Sequence, residues 1–425
     1  MQQTAIPAHI PPALVFPFDF RHDEALRYDT WNYLNQLNDR PPVFFSPDLG
    51  GYWVVTRMKL IEEVFTDHTK FSTSSLAIPK LPTPLKLIPN SMDPPAHTPY
   101  RRLMANNLFS VRALGDLEAN SRAHTIALFE SFKGNQCEFV HDFAYRLPID
   151  IFLQMMGADH NMALREECLV WIKKIFRGNT EEEIADGFAG ASAFVTRWLR
   201  AQLKEPAANQ GSMFRHMVEA RIDGHELPFE DMHSITMMLF MGGLDTVTSQ
   251  MTHIMCFLAE NPGHRQQLID DPELIPVAME ELLRRFGISF IGREAARDMD
   301  YHGAPIRKGD AVVAGTPIAG LDATVFPDPL RVDFARGKGG RVRHIGFGAG
   351  PHLCVGAYLA RTQIKVMLEE LLPRMRGMRM PAAAPIEMSL GATMMLKTLP
   401  LEWDGAAGLK DGNAMIGRET NHGGC

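Results

Sequence analysis

The chain has 425 residues, 45% of them hydrophobic and 22% charged, which is enough for a large buried core and excludes a disordered or fibrous protein. A formal net charge of −7 and a pI near 6.2 argue against a nucleic-acid binder and leave a small molecule as the expected partner. Five widely spaced cysteines (Cys137, Cys168, Cys256, Cys354 and Cys425) make no disulfide framework and imply a reducing, cytoplasmic setting.

The first stretch, Met1 to Phe20, has no basic start and carries prolines where a signal peptide needs an unbroken apolar run, so export is not expected. Gly51 to Thr56 alternates and predicts a strand. From Tyr100 to about Leu283 helical periods dominate, with separate helices predicted over Leu114 to Phe132, Ala185 to Leu203 and Met213 to Ile222. The apolar run Ile235 to Ala259 is long enough to span a bilayer, but Asp245, Gln250 and His253 interrupt it, and a helix through the core is expected.

Two glycines in that run, Gly242 and Gly243, cost helix stability. The Thr246 hydroxyl can bond back to the Gly242 carbonyl and open the helix there, while Asp245 beside it can relay protons. A capped glycine kink with a tethered aspartate is the plainer reading of the same residues. Further on, Glu281 and Arg284 share a helix face and can pair. Between Arg293 and Ala314 the pattern shifts to short strands around the Tyr301–Gly303 and Lys308–Asp310 turns, predicting a small sheet. Residues 406–425 are glycine-rich and polar, and a mobile tail is expected after a single domain over 1–405.

The segment Phe347-Gly-Ala-Gly-Pro-His-Leu-Cys-Val-Gly356 sets one cysteine in a glycine-rich loop just before a helical run from Tyr358 to Leu372. Glycines let backbone approach a flat cofactor closely, and the helix start adds positive potential that favours thiolate over thiol. Cys354 is thereby placed to be a ligand. The loop resembles the haem loop of the cytochrome P-450 family, Phe-Gly-x-Gly-x-His-x-Cys-x-Gly, with every specified residue present. The resemblance runs from about Trp31 to Asp404. It implies a mainly α fold with a small β region, a triangular prism of helices sandwiching haem b bound through Cys354.

The resemblance also assigns roles. His97 and Arg101 in Asp93-Pro-Pro-Ala-His-Thr-Pro-Tyr-Arg101, Arg293 in Gly292-Arg-Glu294, and His352 in the cysteine loop would meet the haem propionates, and Gly242 and Phe347 would contact the cofactor. Asp245 and Thr246 match the acid-alcohol pair that supplies protons for the activation of O2. Glu281 and Arg284 would be locked behind the haem by Arg331. The positions facing substrate are Leu85, Leu87, Met238, Met241, Ile288 and Ile291, all apolar. Leu85 stands where camphor-type pockets carry a hydrogen-bonding aromatic hydroxyl, so a terpenoid or norisoprenoid such as an ionone is the expected substrate. The wording of the motifs is closest to the camphor-hydroxylase branch, and implies a [2Fe–2S] ferredoxin with an NAD(P)H-dependent reductase as electron source. The ferredoxin would dock near Cys354 on Arg101, Arg102, Arg361 and Lys365. A monomer is expected, with no nucleic acid or membrane partner. The rival readings are a haem-thiolate isomerase or dehydratase that uses no O2, and a non-catalytic haem sensor.

Overall fold

The computed structural model describes residues 5–80, 86–110, 114–158, 161–178, 180–204, 213–337, 342–381 and 386–405. The helices that build the site are α1 (His97–Leu103), α2 (Leu117–Glu130), α3 (Arg146–Met155), α4 (Met162–Arg177), α5 (Glu181–Lys204), α6 (Phe229–Glu260), α7 (Ile275–Arg285) and α8 (Ala357–Arg374). The expected helices over 114–132, 185–203 and 358–372 are recognisable as α2, α5 and α8. The expected tail at 406–425 lies outside the described residues.

The 32-residue α6 spans about 48 Å at the standard helical rise and is buried along most of its length by α3, α4, α5 and α8. Several of its polar residues are tolerated because they are hydrogen-bonded. His253 Nε2 meets the Met394 carbonyl at 3.2 Å, and the Thr248 hydroxyl donates to Ala144 and Leu244 carbonyls at 2.8 and 2.7 Å. Among the described residues no helix is long and apolar enough to cross a membrane.

A five-stranded sheet flanks the helices: β1 (Val43–Ser46), β2 (Tyr52–Val55), β3 (Phe71–Ser72), β4 (Phe290–Ala295) and β5 (Ala311–Gly315), in the order β1-β2-β5-β4-β3. Its pairs are antiparallel except β2 with β5, where Val54 faces Val313. The alternation that marked β2 in the sequence does not separate a wet face from a dry one, since Tyr52, Trp53, Val54 and Val55 are all fully buried. The Trp53 indole reaches Asp310 at 2.9 Å and the Tyr52 hydroxyl donates to the Phe18 carbonyl, so both aromatic residues are buried with their polar ends paired.

Two apolar clusters result, one among the helices and one around the sheet and the N-terminal segment. A buried ion pair braces the helical side. Arg284 binds Glu281 through Nε and Nη2, both at 2.8 Å, and its Nη1 donates to the carbonyls of Gly320 and Pro329. The arginine that completes this pair is Arg336, whose Nε lies 3.1 Å from Glu281 Oε1, and not Arg331. Arg331 contributes only its carbonyl, to Arg284 at 3.1 Å. The chain passes 327–331 and turns back through Phe334–Gly337, so the later arginine is the one aimed at the carboxylate.

Candidate active site

The cysteine loop is held by a hydrogen bond from the Cys354 N–H to the Phe347 carbonyl at 2.9 Å. Gly348 and Gly350 take φ values of +73° and +67°, and a Cβ at Gly350 would lie 2.8 Å from the Thr66 side chain. These constraints set Cys354 deep in the protein, with its surface open to a cavity of about 290 Å³ that it helps to line. Burial raises the thiol above its ordinary value, against the opposing pull of the Gly356 N–H, Arg101 and Arg361. Metal coordination would settle that balance, because a coordinating thiol is deprotonated outright.

Opposite the loop, Met238, Gly242, Thr246 and Gln250 line the cavity as one stripe of α6. The Thr246 hydroxyl donates to the Gly242 carbonyl at 2.7 Å. Asp245 points elsewhere. It is fully buried, with Oδ1 2.7 Å from Arg177 Nη2 and Oδ2 accepting from the Thr393 hydroxyl at 2.5 Å. Arg177 ends α4 and Thr393 lies in the C-terminal loop, and no spacing in the sequence pointed to either.

At the side of the cavity His97, Arg101, Arg293 and His352 come together. The imidazole centroids of His97 and His352 are 4.3 Å apart. Among the described residues, both ring nitrogens of His97, and Nε2 of His352, are buried without a hydrogen-bond partner. Arg293 is 3% exposed, and among the described residues its one hydrogen bond is to the neighbouring Gly292 carbonyl. Burial brings Arg293 down to about 10. Burial, then Arg293 and His97, hold His352 near 3, and burial with Arg101 lowers His97. The nearby Asp93, hydrogen-bonded by Ser72 and Thr73, is one carboxylate facing this group and offsets it only in part. Clustered and desolvated, with Arg101 and Arg293 among them, these groups call for anions, and a flat cofactor bearing two carboxylates fits them.

The family model for Cytochrome P450 matches residues 149–402. The chain belongs to the cytochrome P450 family. Probable cytochrome P450 127A1 of Sinorhizobium fredii is 33% identical over 94% of this chain and 97% of that protein. Mycinamicin IV hydroxylase/epoxidase of Micromonospora griseorubida is 31% identical over 83% of this chain and 89% of that protein. Among solved structures, CYP101C1 superposes with a TM-score of 0.85 at 28% identity, and CYP101J2 with 0.83 at 29%, each covering 94% of this chain and 100% of the other. The expected mainly α P450 fold with a small β region is therefore observed, and the chain is a haem-dependent monooxygenase with O2 as co-substrate that draws electrons from redox partners.

Of the positions expected to face substrate, Met238, Ile288 and Ile291 line the cavity of this P450. Met241 and Leu87 do not. Met241 lies off the stripe and both pack against the helical cluster, while Asn90 supplies the wall from the Leu87 segment. Leu85 lies outside the described residues. Phe152, Met155 and Met213, unremarked in the sequence, add to the lining. Gln250 Nε2 and Gln363 Oε1, on two further lining residues, are buried without a partner. Of the expected docking cations, Arg102 is exposed, but Arg361 is bound to Glu280 at 2.6 and 3.0 Å, and Lys365 to Glu118 and Glu369 at 2.9 and 3.1 Å.

Proposed function

We propose that this P450 hydroxylates a small apolar molecule, a terpenoid or norisoprenoid such as an ionone, with Cys354 as the thiolate that would hold the haem iron and His97, Arg101, Arg293 and His352 as the groups that would meet the haem carboxylates. The observation that supports this reading is a cavity lined by both Cys354 and the Thr246 stripe, beside which histidines with unpartnered ring nitrogens gather with Arg101 and the buried Arg293. Haem held there would supply the activation of O2: with two electrons from the redox partners and two protons, one oxygen atom would enter a C–H bond and the other would leave as water. Linalool 8-monooxygenase of Pseudomonas putida, 27% identical over 80% of this chain, supports a terpenoid.

The protein's own part is proton supply and exclusion of water. The Thr246 hydroxyl spends its proton on the Gly242 carbonyl, leaving its oxygen free to accept a hydrogen bond in the cavity. Asp245 holds the next proton position, and both of its oxygens are engaged, so it can serve Thr246 only by loosening from Arg177 or Thr393. Met155, Met238, Phe152, Ile288 and Ile291 offer an adaptable apolar lining that holds a substrate chiefly by shape. A [2Fe–2S] ferredoxin and its NAD(P)H-dependent reductase are proposed as the electron source.

The test is a side-by-side titration of ionones and camphor, following the low-spin to high-spin shift. Ionones are expected to bind more tightly, and tighter camphor binding would overturn the substrate reading. Cys354→His is expected to keep some haem but to lose the red-shifted Soret band of the ferrous carbonyl complex, because a neutral imidazole cannot supply the thiolate's electron donation. An unchanged band would remove Cys354 as ligand.

A further inference from the structure

Asp231 lies in the first turn of α6, well away from Thr246, and is 8% exposed. Its carboxylate is divided between two elements. Oδ1 takes Lys86 Nζ at 3.0 Å, and Oδ2 takes the Tyr100 hydroxyl of α1 at 2.5 Å. One turn along α6, the Ser234 hydroxyl donates to the Lys86 carbonyl at 2.7 Å and accepts from the Ile88 N–H at 3.0 Å. Asp231 thus holds the Lys86 side chain, and Ser234 grips the backbone on both sides of Leu87. The segment then closes on itself, Leu87 N–H to Ser91 Oγ at 2.9 Å, and presents Asn90 to the cavity.

We infer that Asp231 is a positioning residue, a latch that holds the 86–92 segment shut over the cavity and sets how fast substrate reaches it. The inference rests on the cavity being the substrate site. Asn90 cannot swing outward as part of this wall unless the grip on Lys86 and Ile88 is released. The Lys86 side chain is 64% exposed, so its ion pair is weak enough to open and re-form, while the buried Ser234 contacts define the closed position. Tyr100 extends the hold to α1, whose Arg101 lines the same cavity, so one carboxylate ties this wall to the anion-binding side. An acidic residue in a first helical turn also favours the helix dipole, and that role alone would alter stability without altering ligand kinetics.

The experiment compares the wild-type holoenzyme with Asp231→Asn, Tyr100→Phe and Lys86→Met. Two quantities are followed: amide hydrogen exchange at Ile88, and the stopped-flow Soret shift as 4-phenylimidazole binds and leaves. Exchange at Ile88 and both ligand rates are expected to rise ~10-fold in Asp231→Asn, the scale of a lost charge-assisted hydrogen bond, with affinity changed less than about 2-fold. The other two variants are expected to move the same way by smaller factors. Unchanged exchange at Ile88, or unchanged ligand rates in both Tyr100→Phe and Lys86→Met, would overturn the latch. If Asp231→Asn does not fold, Lys86→Met decides, since its side chain is largely in solvent. A missing azole shift in the wild type would count against the haem reading instead, and Ile88 exchange would still decide the latch.

Discussion

Thr246 and Asp245 are neighbours in sequence with opposite surroundings. One hydroxyl faces the cavity from a helix stripe, and one carboxylate is buried between Arg177 and Thr393. Their substitutions should therefore fail differently. On the proposed role, Thr246→Ala should leave binding and electron uptake in place but remove the group that directs the proton, so product formed per NADH should fall severalfold while O2 goes to peroxide. Undiminished coupling would take Thr246 off the proton path. Asp245→Asn keeps the Thr393 contact but cannot change protonation state, so turnover should slow by about 100-fold, the lower range for general acid catalysis. Steady-state turnover with saturating redox partner measures it.

At the scale of elements, α7 is fixed to the segment behind it by Glu281, Arg284 and Arg336, and to the cysteine-loop side by Glu280. Arg336 is the second of two arginines on the buried Glu281, and Arg284 still neutralises the carboxylate without it. Arg336→Leu should therefore cost roughly 2 kcal/mol in urea unfolding, the scale of a hydrogen bond to a charged group, whereas Arg331→Ala, which keeps the carbonyl that Arg284 uses, should cost less than about 0.5 kcal/mol. Equal effects would contradict the observed pairing. For Glu280, burial alone would raise the carboxyl, but hydrogen bonds from His344 and Arg361 more than reverse this and hold it at about 2, against an ordinary 4.5. A folded value below the unfolded one means that the stabilisation is complete above pH 4.5 and is lost as pH falls toward 2. Between pH 5 and pH 3 the wild type should lose more stability than Glu280→Gln, read as the shift in urea midpoint.

Across the whole molecule the same ion pairs decide which cations a redox partner can use. Arg361 is committed to Glu280 and Lys365 to Glu118 and Glu369, whereas Arg102 is exposed. Surface charge mainly steers encounter, so Arg102→Glu should slow reduction of the haem by the proposed ferredoxin and weaken its salt dependence. Arg361→Glu should instead place two carboxylates together beside the cysteine loop and show first as lost stability. Stopped-flow reduction at two ionic strengths, with urea unfolding alongside, separates the two. Reduction indifferent to Arg102→Glu would move the docking face.

The sequence by itself determined what local chemistry can encode. The glycines and cysteine of 347–356, the Gly242–Thr246 offset within one helix, the Glu281–Arg284 spacing and the apolar length of α6 all act within a few residues of one another, where backbone geometry fixes the outcome. Contacts between distant segments were not legible there. That Asp245 meets Arg177 and Thr393, that Arg336 and not Arg331 reaches Glu281, that Arg361 is neutralised by Glu280, and that Met241 and Leu87 turn from the cavity while Asn90 turns toward it are consequences of how helices and loops pack. A side chain's direction and its partner depend on the rotation of each helix against its neighbours, which many weak apolar contacts set together and no single spacing records.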